Sequence, residues 1–173
     1  MRDPFQQLTD EHRVIEQMLD ALEAAARKDV QPEFYARALE FATAYAEGYH
    51  HAKEEERLFT YLRDRGSPRD FGPVDVMVEE HRSGHAHVLA MQDQLARSDI
   101  DALRRECLAY VTLMREHIHK EEEVLFPMGR ATLTPEEIDE IHAGFATIPE
   151  PAADLASFTR QAAALLAEVE SAT

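Results

Sequence analysis

The sequence predicts an all-α protein, an antiparallel up-down-up-down four-helix bundle with two extra C-terminal helices. Three observations carry that expectation. Glycine is scarce, at 6 of 173 residues, while alanine, leucine and glutamate abound, a composition that favours helix. Four long stretches repeat apolar residues at steps of three and four. The connections between them are short, as antiparallel neighbours require.

The first helix opens at Asp3-Pro4, a capping acid followed by proline in the first turn. Its stripe is Phe5, Leu8, Ile15, Leu19, Leu22 and Ala26, interrupted by His12, and RKDVQPE ends it. The second runs from about Pro32 to Leu62, with Phe41, Ala44, Tyr45, Gly48, Ala52, Leu58, Phe59 and Leu62 on its stripe. RDRGSPRDFGP is a turn-rich break. The third, from about Val74 to Ala96, turns Met77, Val78, Val88, Met91 and Leu95 inward. SDID caps the fourth, from about Ala102 to Met128, which turns in Leu103, Cys107, Tyr110, Val111, Met114, Ile118, Leu125 and Met128. LTPEE is a capping box that opens a short helix to about Phe145. TIPEP breaks it, and a last helix from about Ala152 to Val169 follows. Residues 1–129 are read as the bundle, and 130–173 as a helical extension packed on it.

Composition narrows the function. The net charge of −16 repels nucleic acid and anionic membranes, so neither is an expected partner. The single cysteine, Cys107, excludes an intramolecular disulfide and a thiolate zinc site. The polar N-terminus lacks the apolar run of a signal peptide, and no stretch approaches the ~20 apolar residues of a membrane span, so the expected location is cytoplasmic.

The nine histidines come in tight groups. His12 sits on an apolar stripe. His81 and His85 are four apart and share a face. His117 stands one turn before Glu121 on the inward side of helix four, and on helix two the row through Phe41, Ala44 and Gly48 continues through His51 and Glu55 to Leu58. All four helices thus turn metal-competent groups inward. Buried carboxylates need positive partners, at several kcal/mol per unpaired charge, and these stripes carry no lysine or arginine. Cations supply what is missing. Five imidazoles and two carboxylates without thiolate suit two octahedral ions, with iron as the best match, and leave a position for a small ligand.

Two choices stay open. At 100° per residue Glu121 lies about 40° from His117 and Glu122 about 140°, so a regular helix favours Glu121, while a π-like irregularity would favour Glu122. HHAKEEERLF (50–59) also aligns with HIHKEEEVLF (117–126), and that register pairs His117 with His50 rather than His51. It makes His50 and Glu54 the alternates to His51 and Glu55. The His50/Glu54 row contains Glu40, Thr43, Glu47 and Arg57, so the apolar row is preferred. A ferritin-like reading from Glu47–His50 and Glu116–His119 competes, but it leaves His12, His81 and His85 buried without purpose.

The order His12; His51–Glu55; His81–His85; His117–Glu121 or Glu122 resembles the hemerythrin family in its HHE cation-binding branch, over about residues 5–128. The resemblance implies a hemerythrin-like bundle holding two iron ions, Fe2+/Fe3+, bridged by oxo or hydroxo. It implies binding of O2 or another small diatomic or peroxide ligand for sensing, storage or delivery. The alternative it carries is a di-iron enzyme acting on peroxide or nitric oxide, or in iron and oxidative-stress repair. Assembly as a homodimer is compatible with the sequence.

Overall fold

The computed structural model describes residues 3–65, 72–151 and 155–171. Among them are six helices and no strand. Helix α1 is Pro4–Ala26, capped by Asp3, whose Oδ1 accepts from the Phe5 amide at 3.0 Å. Helix α2 covers 32–64 and is not uniform. An α-helical start at Pro32–Phe41 gives way to π-helical turns over Ala42–His51 and Glu54–Leu58 before Phe59–Asp64 closes it. Helix α3 is Pro73–Ala96. Ser98, in the left-handed region at φ 58°, turns the chain, and Asp99 caps the next helix by accepting from the Ala102 amide at 3.0 Å. Helix α4 covers 100–132, with a π-helical turn at Glu121–Leu125. It starts earlier and ends later than the periodicity suggested. Helix α5 is Pro135–Phe145, opened by the expected capping box of Thr134 and Glu137, and α6 is Leu155–Ser171. Most of the RDRGSPRDFGP break, and Ala152 at the expected start of the last helix, lie outside the described residues.

The apolar side chains form two clusters rather than one. Ile15, Leu22, Phe34, Phe41, Met91, Cys107 and Met114 belong to the first, joined by Phe158, Leu165 and Val169 of α6. Phe5, Leu8, Leu58, Phe59, Met77, Leu125 and Phe126 belong to the second, joined by Ile141 and Phe145 of α5. Both C-terminal helices therefore bury their stripes in the bundle's own clusters. At Gly129 a Cβ would stand 2.8 Å from the Phe5 ring, so the end of α4 packs on α1 only because glycine is there. No helix among the described residues is long and apolar enough to cross a membrane.

Along α1 the clusters are split by two buried polar positions, Glu11 and His12, between Leu8 and Ile15. The other helices repeat the split: a layer of buried histidine and glutamate lies between two greasy layers. That layer is the functional candidate.

Candidate metal centre

Two groups of buried side chains meet in this layer. His51, Glu54, His81 and His117 form one, and His12, His50, Glu54 and Glu121 the other, each with its ligand atoms within 4.8 Å of one another. Glu54 belongs to both. Glu121 also reaches across, its Oε2 lying 3.2 Å from His12 Nε2 and 3.4 Å from His117 Nε2.

Helix geometry explains who is inside. The i→i+5 bonding of a π-turn widens the helix, so each residue advances less around the axis. The turns over Ala42–His51 therefore bring His50 and His51 inward together, at 1 % and 6 % exposure. The row extrapolated at 100° per residue fails there. Gly48 is exposed, Glu54 is fully buried, and the Glu55 side chain is 44 % exposed. In α4 the π-turn begins at Glu121, after the regular step from His117, so Glu121 is buried and Glu122 lies beyond it.

His85 also lies outside both groups, with its side chain 57 % exposed. The inward positions of α3 are Val74, Met77, His81, Gly84, Val88 and Met91. Gly84, not His85, takes the place after His81, where a Cβ would sit 3.2 Å from Met114 Sδ. Of the expected residues, the structure thus brings together His12, His51, His81, His117 and Glu121, adds the alternates His50 and Glu54, and leaves Glu55, His85 and Glu122 outside the two groups.

Glu55 and Glu122 nevertheless touch the layer. Four of its histidines donate their Nδ1 proton to a carboxylate: His12 to Glu122 at 2.9 Å, His50 to Glu11 at 3.0 Å, His81 to Glu55 at 2.7 Å and His117 to Glu80 at 3.1 Å. Those bonds fix the tautomer and aim an Nε2 lone pair inward, the arrangement by which outer carboxylates orient metal-binding imidazoles. Three of the four carboxylates are themselves held by a cation, Glu122 by Arg13, Glu11 by Lys53 and Glu80 by Lys120. Sequence reading missed Glu11, Glu80 and Lys53. A signal existed: Glu11-His12-Arg13 and Glu80-His81-Arg82 are the same tripeptide.

The inward-facing atoms lack partners. His12 Nε2, His51 Nε2 and both oxygens of Glu54 and of Glu121 are buried without a hydrogen bond. His81 Nε2 and His117 Nε2 face each other at 3.0 Å. Two lone pairs and two carboxylates converging in a buried space call for positive charge. Without a metal, protons answer part of that demand. Burial works against charging His50, but Glu54 and Glu11 outweigh it and raise the group to about 10. Against the same burial, Glu54 and Glu55 raise His81 to about 9. Burial, then His81, pushes His51 well below the usual imidazole range, which leaves it a neutral donor. The donor set is imidazole and carboxylate, which fits a hard or borderline divalent cation such as iron, manganese or zinc.

A family model described as the hemerythrin HHE cation binding domain matches residues 3–129. The chain belongs to the hemerythrin family. Neither the curated proteins nor the solved structures searched give a match. The hemerythrin match spans α1 to α4 and stops before α5, so it covers the whole buried layer. Family and geometry together support metal binding at these side chains.

Proposed function

We propose that the protein is a non-haem di-iron protein that binds O2 or a related small ligand. In this reading His51, His81 and His117 hold one ion and His12 and His50 the other, with Glu54 and Glu121 shared between them. The observation that carries it is the meeting of two buried imidazole–carboxylate groups that share Glu54, with both oxygens of Glu54 and of Glu121 lacking any hydrogen-bond partner. The up-down order of the four helices belongs to the same proposal. It is supported by Leu8, Leu58, Val74 and Leu125, from alternating helix ends, sharing one apolar cluster. So does a division of the chain after residue 129, where the family match ends.

The two positions differ in donor count. HHAKEEERLF and HIHKEEEVLF align with Ile118 opposite His51. The His12/His50 ion therefore has one imidazole fewer and a buried apolar side chain at the corresponding place. Bound iron would supply an exchangeable coordination position and one-electron chemistry there. The chain's own part is to orient Nε2 atoms through the outer carboxylates, and to exclude water with Ile118, Leu125 and Phe126. A second reading, an enzyme acting on peroxide or nitric oxide, is favoured by a cleft of about 250 Å³ that reaches His51 and His81 from solvent.

Metal content and an optical spectrum, measured on protein purified without added metal, test the proposal. Two irons per chain are expected, and zinc alone, or no metal after iron loading, would overturn it. Exposing the reduced protein to O2 and then to peroxide separates the two readings: reversible colour marks a carrier, and consumption of peroxide an enzyme.

A further inference from the structure

The cleft has a feature that the centre itself does not explain. It is lined by Glu47, Glu55, Arg82 and His85 at its mouth, and by His51 and His81 at its floor. Glu47 Oε2 accepts from His85 Nδ1 at 3.0 Å, while Glu47 Oε1 is buried without a partner. Glu47 Oε1 therefore keeps its acceptor capacity unspent just beneath the cleft surface, and among the described residues His85 Nε2 bonds nothing. Glu55 also lines the cleft, bonded to His81 Nδ1. Among the described residues Glu55 pairs with no lysine or arginine, unlike the other three outer carboxylates. Its natural latch would be Arg82, which stands in the repeated tripeptide where Arg13 holds Glu122. Arg82 instead turns to Glu79, at 3.2 Å. The other half of the layer offers no such access: His12, His50, Glu54 and Glu121 are each 0 % or 1 % exposed.

We propose that Glu47, His85 and Glu55 form a capture site for a divalent cation, through which metal is delivered to the three-histidine position. The proposal rests on the metal-centre reading above. Glu47 and His85 take the hydrated cation at the mouth, and the unlatched Glu55 passes it to Nε2 of His51 and His81. Anionic side chains focused in a cleft raise the arrival rate of a cation by about ten- to a thousandfold. They leave the final affinity to the buried donors.

The test follows uptake of Co2+ by the metal-free full-length chain in a stopped-flow spectrometer. The double variant Glu47→Gln/His85→Gln should slow uptake at least about tenfold, with unchanged final stoichiometry and affinity. The pair His87 and Glu106, at 2.8 Å on another part of the surface, provides the control. His87→Gln/Glu106→Gln removes the same groups outside the cleft and should leave the rate unchanged. Arg82→Gln, which takes a positive charge from the mouth, should speed uptake, and it keeps the proposal exposed to test should the double variant fold poorly. Equal rates in all variants, or equal slowing in both double variants, would overturn the capture site. So would loss of bound metal in Glu47→Gln/His85→Gln, because these residues would then be ligands. Wild-type protein that takes up neither Co2+ nor Fe2+ would instead bring down the metal centre, and the capture site with it.

Discussion

The α1/α2 half and the α3/α4 half of the metal layer correspond pair by pair. His12 and His50 lie with ring centroids 4.7 Å apart at 64°, and His81 and His117 at 4.7 Å and 62°. Phe126 stacks on His12 at 5.6 Å, and Phe59 on His81 at 5.7 Å. Glu11 with Lys53 supports His50 as Glu80 with Lys120 supports His117. Against that shared plan three differences stand out. His51 has Ile118 as its counterpart, Lys53 is buried where Lys120 is 40 % exposed, and Arg13 holds Glu122 where Arg82 leaves Glu55. The symmetric part builds two groups of buried donors, which in the proposed reading hold two cations. The asymmetric part gives one group an extra imidazole and a cleft to solvent, and leaves the other fully buried.

The strongest way to break the correspondence is at the side chain both halves use. Glu54→Gln should reduce bound metal from two ions per chain to one or fewer, read by elemental analysis. Glu55→Gln, one position along, should keep two ions and weaken the His81 position by about 10- to 100-fold, as expected for an outer partner. If Glu55→Gln costs more metal than Glu54→Gln, the facing of α2 is misread. Next in size, His51→Ile makes the halves alike. It should weaken the three-histidine ion selectively, so that the two steps of a calorimetric titration, separated in the wild type, draw together. Two equally weakened steps would show that His51 is shared, not owned by one ion.

Those predictions depend on a part of the site that was only half legible in the sequence. Helices α1 and α3 were readable because an apolar stripe at steps of three and four reports a regular helix, and Asp3, Asp99 and Thr134 announced their helix starts. His12, His81, His117 and Glu121 were readable for the same reason. His50 and Glu54 were set aside because 100° per residue was carried through a stretch where π-turns change the count. The echo between HHAKEEERLF and HIHKEEEVLF aligns His50 with His117 and Glu54 with Glu121, and all four lie in the two buried groups. His85 lies outside the groups for a different reason. An i,i+4 pair shares a face only broadly, and Gly84 held the inward place. Lys53 was invisible, since nothing local marks a lysine whose ammonium lies 3.5 Å over the Tyr49 ring, with Phe145 of α5 beyond it.

That lysine gives a prediction in stability. Lys53→Met strips a buried cation from Glu11 and leaves a nearly buried carboxylate with only His50 and the Gln7 amide. Breaking a buried pair in this way costs about 3–5 kcal/mol. Lys120→Met removes the corresponding cation from a half-exposed place and should cost about 0–1 kcal/mol. Urea unfolding of the metal-free protein measures both. Equal losses would mean that α5 does not bury Lys53 in solution, and the halves would be more alike than the structure has them.

The smallest effect tests the latch. Arg13 holds Glu122 from a side chain that is itself half exposed. Such a pair is worth about 0.2–1 kcal/mol, so Arg13→Ala should weaken metal at the His12 position by less than about fivefold. The loss reaches the metal only through Glu122 and the Nδ1 proton of His12, and it should shrink in high salt, where exposed pairs are screened. Arg82→Ala should leave the affinity at the His81 position unchanged, because Arg82 pairs with Glu79 and not with Glu55. Competition titrations against a calibrated chelator, at low and high salt, resolve differences of this size. If Arg82→Ala weakens binding as much as Arg13→Ala does, Arg82 reaches Glu55 in solution, both outer carboxylates are latched, and the open door on the three-histidine side closes.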